Sequence, residues 1–400
     1  MTDKVVNNEK LIITIKTLFG LEDVLVEELA ELGFENAEKL NRAVKITGNW
    51  RDVYYLNIHL RCAISVLVQI KVFKIRNEKD LYEQACKVKW LDYFDIKKTF
   101  AVKGAVFSEM FRHSQYPFLL VKDAIVDTFR KETGERPDVN IKAPQVLFDV
   151  YINNNVVTVS LNTSGAPLYQ RGYRETVGEA PLNEVAAAGL LRISGWDRKS
   201  PLIDPFCGSG TILIEAALLA AGVPSTIERH HFAFKNFKNF DEEAYNEIRD
   251  AIDTRVRELP CKIVGSDISD EMVTKARRNM RGFSFGRLIE TKVVSFEDMK
   301  RLEGEGGVVI TNPPYGERMG EEIEEMYEGL GNWMKNEMTG YECWLLSSNM
   351  EAFKFVGLRP TRKIKLFNGN LECSFRQYSI YEGSKKAKFN QEESQDDESK

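Results

Sequence analysis

The chain has 400 residues, room for two or three domains and a sizeable core, and its 43% hydrophobic and 29% charged content is that of a soluble globular protein. Lys and Arg total 55 against 60 Asp and Glu, and the net charge of −5 does not mark a nucleic-acid binder. No apolar run reaches the roughly 18–20 residues of a membrane span, Met1–Lys10 has no secretory apolar segment, and six dispersed cysteines without a C-x-x-C pair predict reduced thiols, no metal site and a cytoplasmic location.

In chain order, Leu11–Leu18 alternates as a strand. Leu21–Gly33 places Leu21, Val24, Leu25, Glu28, Leu29 and Leu32 on one mostly apolar helical stripe, stopped by Gly33. Ala43–Thr47 and Ala63–Phe73 read as strands, and Trp50–Ile58 as a helix. From Arg61 to Gly104 there are ten Lys or Arg against five Asp or Glu, which suits either an RNA-facing surface or a solvated face. Phe100–Ser108 is a strand and Phe118–Lys131 an amphipathic helix. Gln145–Ile152 and Val156–Leu161 flank Asn153-Asn154-Asn155, a hairpin signal. The polar stretch Asn162–Gly165 marks a domain boundary. The Tyr and Arg residues of Tyr169-Gln170-Arg171-Gly172-Tyr173-Arg174 then suit contact with RNA or a cofactor, or ordinary linker packing.

The second half alternates strands and helices. A helix over Val185–Ile193 precedes the buried strand Pro201–Asp204, the loop Pro205-Phe206-Cys207-Gly208-Ser209-Gly210-Thr211 and the helix Ile212–Ala221. This is not a dinucleotide fingerprint: the third glycine is missing, and the next strand-end acid, Asp267, lies far beyond the ~20 residues expected for a nicotinamide ribose. Asp204 would repel a pyrophosphate and suits a cationic ligand. S-adenosyl-L-methionine is such a ligand, with an ammonium and a sulfonium. The candidate binding residues are Asp204, Phe206, Gly208, Ser209 and Gly210 around its methionine part. Asp267, ending the strand Lys262–Asp267, suits the two ribose hydroxyls. Asp298, after a strand over Lys292–Phe296, suits the adenine amino group. Cys207 sits in this loop and reads as packing rather than as a nucleophile.

The strand Gly307–Thr311 runs into Asn312-Pro313-Pro314-Tyr315. An exocyclic amino group on a nucleobase is a poor nucleophile because its lone pair is conjugated into the ring. The Asn312 carbonyl and the Pro313 backbone carbonyl can accept from that NH2, hold it and favour its pyramidal form. The prolines stiffen the turn, and Tyr315 offers a stacking face for an extruded base. Asn312, Pro313 and Tyr315 are therefore the candidate catalytic residues, and Asn312 also borders the cofactor site. Between Val223 and Pro260, Phe232, Phe234, Phe237 and Phe240 interleave with Arg229, Lys235 and Lys238, which suits a basic stacking wall for RNA or a packed excursion. Ile323–Met334 is a helix, Glu342–Ser347 a strand, and Lys363–Phe367 with Leu371–Tyr381 a hairpin around Asn368-Gly369-Asn370. Lys385–Lys400 is polar and reads as disordered.

With these motifs the chain resembles the THUMP-containing class I methyltransferases that modify the guanine 2-amino group in RNA, most closely the bacterial RlmL-type family acting on large-subunit (23S) ribosomal RNA. The resemblance rests on Asp204–Thr211, on Asn312–Arg318, on Asn368–Cys373, and on Gln170–Arg174 with Ala180–Glu184. It implies a Rossmann-like α/β methyltransferase domain with a seven-stranded doubly wound sheet whose last strand is antiparallel. It also implies an α+β region in front: a ferredoxin-like segment over 1–44 and an RNA-binding THUMP domain over 45–160. The methyltransferase domain then spans 161–384, with a linker at 161–180 and a tail at 385–400. RNA is the expected partner, with no membrane. The motifs do not separate guanine from adenine or rRNA from tRNA. A tRNA guanine methyltransferase, an adenine-amino DNA methyltransferase and a non-catalytic RNA-binding assembly factor are the alternatives.

Overall fold

Leu11, Ile13 and Ile15 point inward and alternate with Ile12, Thr14 and Lys16, which is what makes the first strand, β1 (Leu11–Lys16), a half-buried ribbon in the computed structural model. The structure describes residues 10–174, 182–302, 304, 306–314, 320–369 and 371–381. They divide into two units, one drawn from Met1–Gly172 and Pro224–Asp253, the other from Tyr173–Val223 and Thr254–Lys400.

In the first unit β1 is followed by α1 (Glu22–Glu31), β2 (Glu38–Leu40), β3 (Ala43–Gly48), α2 (Trp50–His59), β4 (Ser65–Lys74), α3 (Glu78–Ala85), β5 (Phe100–Phe107), α4 (Tyr116–Thr133), β6 (Val146–Asn153) and β7 (Val156–Asn162). The strands form one sheet in the order β2-β3-β1-β4-β7-β6-β5, antiparallel throughout except between β5 and β6. Leu25 and Leu29 of α1, Val53 and Leu56 of α2, and Val121, Ile125 and Phe129 of α4 belong to the core built on it. Of these elements, two have no counterpart in the sequence analysis. β2 has too few residues to show alternation, and α3 is short and mostly charged, held by its Asn77 cap (Oδ1 to the Asp80 amide, 2.9 Å).

The second unit begins with α5 (Glu184–Ile193), β8 (Leu202–Asp204) and α6 (Thr211–Ala220). The chain then supplies 224–253 to the first unit, including α7 (Glu242–Asp250), before returning with β9 (Ile263–Asp267), α8 (Asp270–Met280), β10 (Ile289–Val293), β11 (Gly307–Thr311), α9 (Gly320–Glu337), β12 (Tyr341–Ser347), β13 (Arg362–Asn368) and β14 (Leu371–Ser379). The sheet order is β10-β9-β8-β11-β12-β14-β13. The first five strands are parallel, and β14 is inserted antiparallel between β12 and β13. The implied Rossmann-like, doubly wound fold holds. The strand expected over Lys292–Phe296 is corrected to β10, three residues earlier. β10 is an edge strand with one buried residue, Ile289, so its polar sequence hides it, and Phe296–Asp298 form a short 3-10 turn capped by Ser295.

The aromatic stretch after Val223 is packed, not a stacking wall. Phe232, Phe234 and Phe237 are buried in the core of the first unit with Tyr245 and Ile248 of α7. Arg229 is buried as well, and its five N–H groups meet the carbonyl oxygens of His231, Pro167, Gln170, Ser164 and Ala166 at 2.6–3.2 Å. No carboxylate pairs with it among the described residues. Burial first, and the charge of Arg171 second, lower its pKa to about 10. Among the described residues no helix is long and apolar enough to cross a membrane, and no group of three or more His, Cys, Asp or Glu is placed to hold a metal ion. The tail at 385–400 and the amino-terminal nine residues lie outside the described residues.

Candidate active site

A parallel sheet of this order reverses direction between β8 and β11, and in such folds ligands bind at the carboxyl ends of the strands beside that reversal. Asp204 is the last residue of β8, Asp267 the last of β9, and Asn312 the first after β11. The register puts Asp204 opposite Gly265 and Val293 opposite Asp267, so these ends share one edge of the sheet. Asp298 differs: it lies in the turn five residues past β10, exposed, with its amide donating to the Ser295 carbonyl at 3.1 Å.

The loop after β8 is shaped by two glycines. Gly208 and Gly210 have φ of 53° and 83°, in the left-handed region. A Cβ on Gly210 would stand 3.0 Å from both Ala276 Cβ and Met280 Cε of α8. Three bonds fix the loop: the Gly208 amide donates to Asp267 Oδ2 (3.0 Å), the Cys207 amide to the Ser266 carbonyl (2.8 Å), and Asn279 Nδ2 to the Ser209 carbonyl (3.1 Å). The Phe206 ring stacks on Phe296 with centroids 5.1 Å apart. Burial, with the charges of Asp204 and Asp267 adding to it, pushes the Cys207 thiol well up, which disfavours the thiolate a nucleophile needs.

Asp204 is 1% exposed. Its Oδ1 accepts from Thr311 Oγ1 at 2.6 Å and from the Phe206 amide at 3.2 Å, and its Oδ2 accepts from none of the described residues. Burial above all, with the nearby charge of Asp267, raises its pKa to about 7 against those two hydrogen bonds. Asn312 Oδ1 is also enclosed and has no hydrogen-bond partner among the described residues. A buried acceptor without a donor is costly unless a ligand supplies one. Pro313 is buried and Pro314 exposed. Tyr315, with Gly316, Glu317 and Arg318, lies outside the described residues, as do Ala180, Pro181 and Asn370.

Residues 171–377, more than half of the chain, match the family described as RMKL-like, methyltransferase domain. The chain belongs to this RMKL-like methyltransferase family. In front of that domain, residues 76–162 match the THUMP domain and 12–67 the RlmL ferredoxin-like domain. The ribosomal RNA large subunit methyltransferase K/L of Psychromonas ingrahamii is 35% identical over 376 residues, 92% of this chain and 50% of that protein. The chain thus spans about half the length of the curated relatives it matches. Among solved structures, the SMU.472 protein complexed with SAH covers 94% of this chain and is itself covered in full, at 25% identity and a TM-score of 0.82. A protein of Listeria monocytogenes described as a predicted N6-adenine-specific DNA methylase has 27% identity and a TM-score of 0.83, covering 93% of this chain and 97% of its own.

Within the RMKL-like domain the interdomain arginines are structural. Arg174 Nε donates to Glu184 Oε1 at 2.9 Å and its Nη2 to Thr211 Oγ1 at 3.1 Å, which braces the starts of α5 and α6. In the first unit Arg171 is 1% exposed and donates to the carbonyls of Leu168 and Arg61 at 3.0 and 2.6 Å. Two site features escaped the sequence reading. Ile268, next to Asp267, is 80% exposed, an unusual position for a bulky aliphatic side chain and one that its place after a strand-end acid could have flagged. Thr311, one residue before Asn312, is fully buried against Asp204, which no spacing reveals.

Proposed function

We infer that the chain transfers a methyl group from S-adenosyl-L-methionine to the 2-amino group of a guanine in RNA, with large-subunit ribosomal RNA as the substrate. The observation that carries the reading is the enclosed Oδ1 of Asn312, without a hydrogen-bond partner among the described residues and placed at the end of β11 beside the reversal of the sheet. The chain's relatives at 35–36% identity bear the name ribosomal RNA large subunit methyltransferase K/L, and its THUMP match suits an RNA-binding role for the first unit.

S-adenosyl-L-methionine supplies, when bound, an electrophilic methyl group on a sulfonium. The site suits it: Asp204 is 1% exposed and its Oδ2 accepts from none of the described residues, and the left-handed glycines keep side chains out of the loop. Asp204, Phe206, Gly208, Ser209 and Gly210 hold the methionine part. Asp267 accepts from the ribose hydroxyls, Ile268 offers the adenine an apolar face, and Asp298 accepts from the adenine amino group. Asn312 Oδ1 and the Pro313 carbonyl accept the two hydrogens of the guanine amino group, which frees its lone pair for direct attack. Tyr315 stacks on the base after it leaves its helix. Methylation leaves a cationic nitrogen that loses its proton to water, so no general base is required.

The Listeria relative's description favours one second reading, an adenine amino group as acceptor. One experiment separates the two. The protein is incubated with labelled S-adenosyl-L-methionine and, separately, large-subunit rRNA, small-subunit rRNA, tRNA and DNA, all lacking modification. Label in large-subunit rRNA, released by digestion as 2-methylguanosine, is the expected result. Label in tRNA moves the substrate, and N6-methyladenine from DNA overturns the guanine assignment.

A further inference from the structure

The pairing between β8 and β11 stops early. Val308 pairs with Leu202 and Val309 with Ile203, and the ladder ends there. Asp204 lies one residue past the last pair on one side, and Thr311 two past it on the other. Away from the gap each strand end stays anchored: Asp204 pairs with Gly265 of β9, and Thr311 with Leu345 of β12. The sheet is thus joined in two halves at its upper edge, one carrying Asp204 and Asp267, the other carrying Asn312. Across the opening runs a buried hydrogen bond, Thr311 Oγ1 to Asp204 Oδ1 at 2.6 Å, with Thr311 fully buried and Asp204 1% exposed.

We propose that Thr311 is a positioning residue for methyl transfer: its hydroxyl ties the carboxylate of the cofactor half to the backbone that presents Asn312, and so sets the distance between methyl donor and acceptor amine. The proposal rests on the function inferred above. A buried threonine hydroxyl needs some acceptor, and many use a carbonyl of the preceding helical turn or strand. Here the acceptor is an ionisable side chain on the neighbouring strand, past the end of the backbone ladder, where no backbone bond holds the register. A carboxylate acceptor also makes a stronger bond than a carbonyl and fixes one of its oxygens, leaving the other for a cationic ligand. A shift of the Asn312 backbone by a fraction of an ångström then changes the attack geometry without removing a binding group, and such misplacements cost rate rather than affinity.

The test uses the full chain, S-adenosyl-L-methionine and the RNA that accepts methyl from the wild-type protein. Thr311→Val keeps shape and loses the hydroxyl; Thr311→Ser keeps the hydroxyl. Single-turnover rate at saturating cofactor and RNA is measured beside cofactor Kd by calorimetry. Thr311→Val is expected to lower the rate about tenfold or more, by a larger factor than it raises Kd, and Thr311→Ser is expected to restore most of it. An unchanged saturating rate in Thr311→Val overturns the proposal, as does a serine variant as slow as the valine one, since packing of the γ-methyl would then be the cause. Should Thr311→Val fail to fold, Thr311→Ala is measured against the serine variant in the same way. A wild-type chain that binds no cofactor overturns the inferred function instead, and a wild-type chain that binds cofactor and methylates leaves the positioning claim to the variants alone.

Discussion

The amide of Gly208 donates to Asp267 Oδ2 at 3.0 Å, so the loop that follows β8 leans on the carboxylate that ends β9. Asp267 Oδ1 accepts from the Ser269 amide at 2.9 Å at the start of α8. One carboxylate therefore fixes both the glycine loop and the next helix, and each oxygen keeps a lone pair for a ligand hydroxyl.

Asp267→Ala is predicted to weaken S-adenosyl-L-methionine binding about tenfold or more, because it removes charge-assisted acceptors and frees the loop. Isothermal calorimetry measures it. Unchanged affinity removes Asp267 from the cofactor site.

Cofactor affinity should depend on pH through Asp204. Its pKa of about 7, raised by burial and by Asp267, leaves it half protonated near neutrality. A cationic ligand prefers the carboxylate, so below pH 7 binding must release that proton. Affinity is predicted to rise from pH 6 to 8 and level off above, with a limiting slope of about tenfold per pH unit on the acid side. Asp204→Asn should bind more weakly and lose most of the slope. A flat profile in the wild-type protein contradicts this.

Gly210→Ala places a side chain at a φ of 83° and 3.0 Å from Ala276 and Met280. The predicted cost is about 1–3 kcal/mol, read as a lower unfolding temperature together with weaker cofactor binding. A variant with wild-type stability and affinity shows that the loop does not need glycine there.

Arg229→Met removes five donors at once, from the buried Ser164 carbonyl and from four part-buried bonds to Ala166, Pro167, Gln170 and His231. A loss of about 1–3 kcal/mol is predicted, the cost of leaving a buried acceptor unsatisfied, since water can reach the part-buried carbonyls. Differential scanning calorimetry is the readout. Unchanged unfolding together with lost RNA binding returns Arg229 to the role of a nucleic-acid contact.

That last residue shows where the sequence was silent. Arg229 among phenylalanines has the composition of a nucleic-acid surface, and composition does not distinguish a cation in solvent from one wrapped in carbonyls. α7 was equally hidden, because only Tyr245 and Ile248 of its nine residues are buried and the rest are polar. The parallel core was easy to read for the opposite reason. β8, β9 and β11 are runs of buried aliphatics between loop residues, and each is followed or closed by a polar residue that a strand interior would not hold. The position of Asp298 was less legible, since β10 has a single buried residue to mark where it begins and ends. Thr311 had no signal at all: its meaning lies in Asp204, 107 positions away in sequence and 2.6 Å away in space.

Asn312 is proposed to accept the hydrogens of the amino group that is methylated. The most direct measurement pairs two readouts on Asn312→Ala: S-adenosyl-L-methionine binding by calorimetry and single-turnover methyl transfer to large-subunit rRNA. Binding within about threefold of wild type and transfer lowered by about 100-fold or more are predicted. Near-normal transfer by this variant would contradict the account.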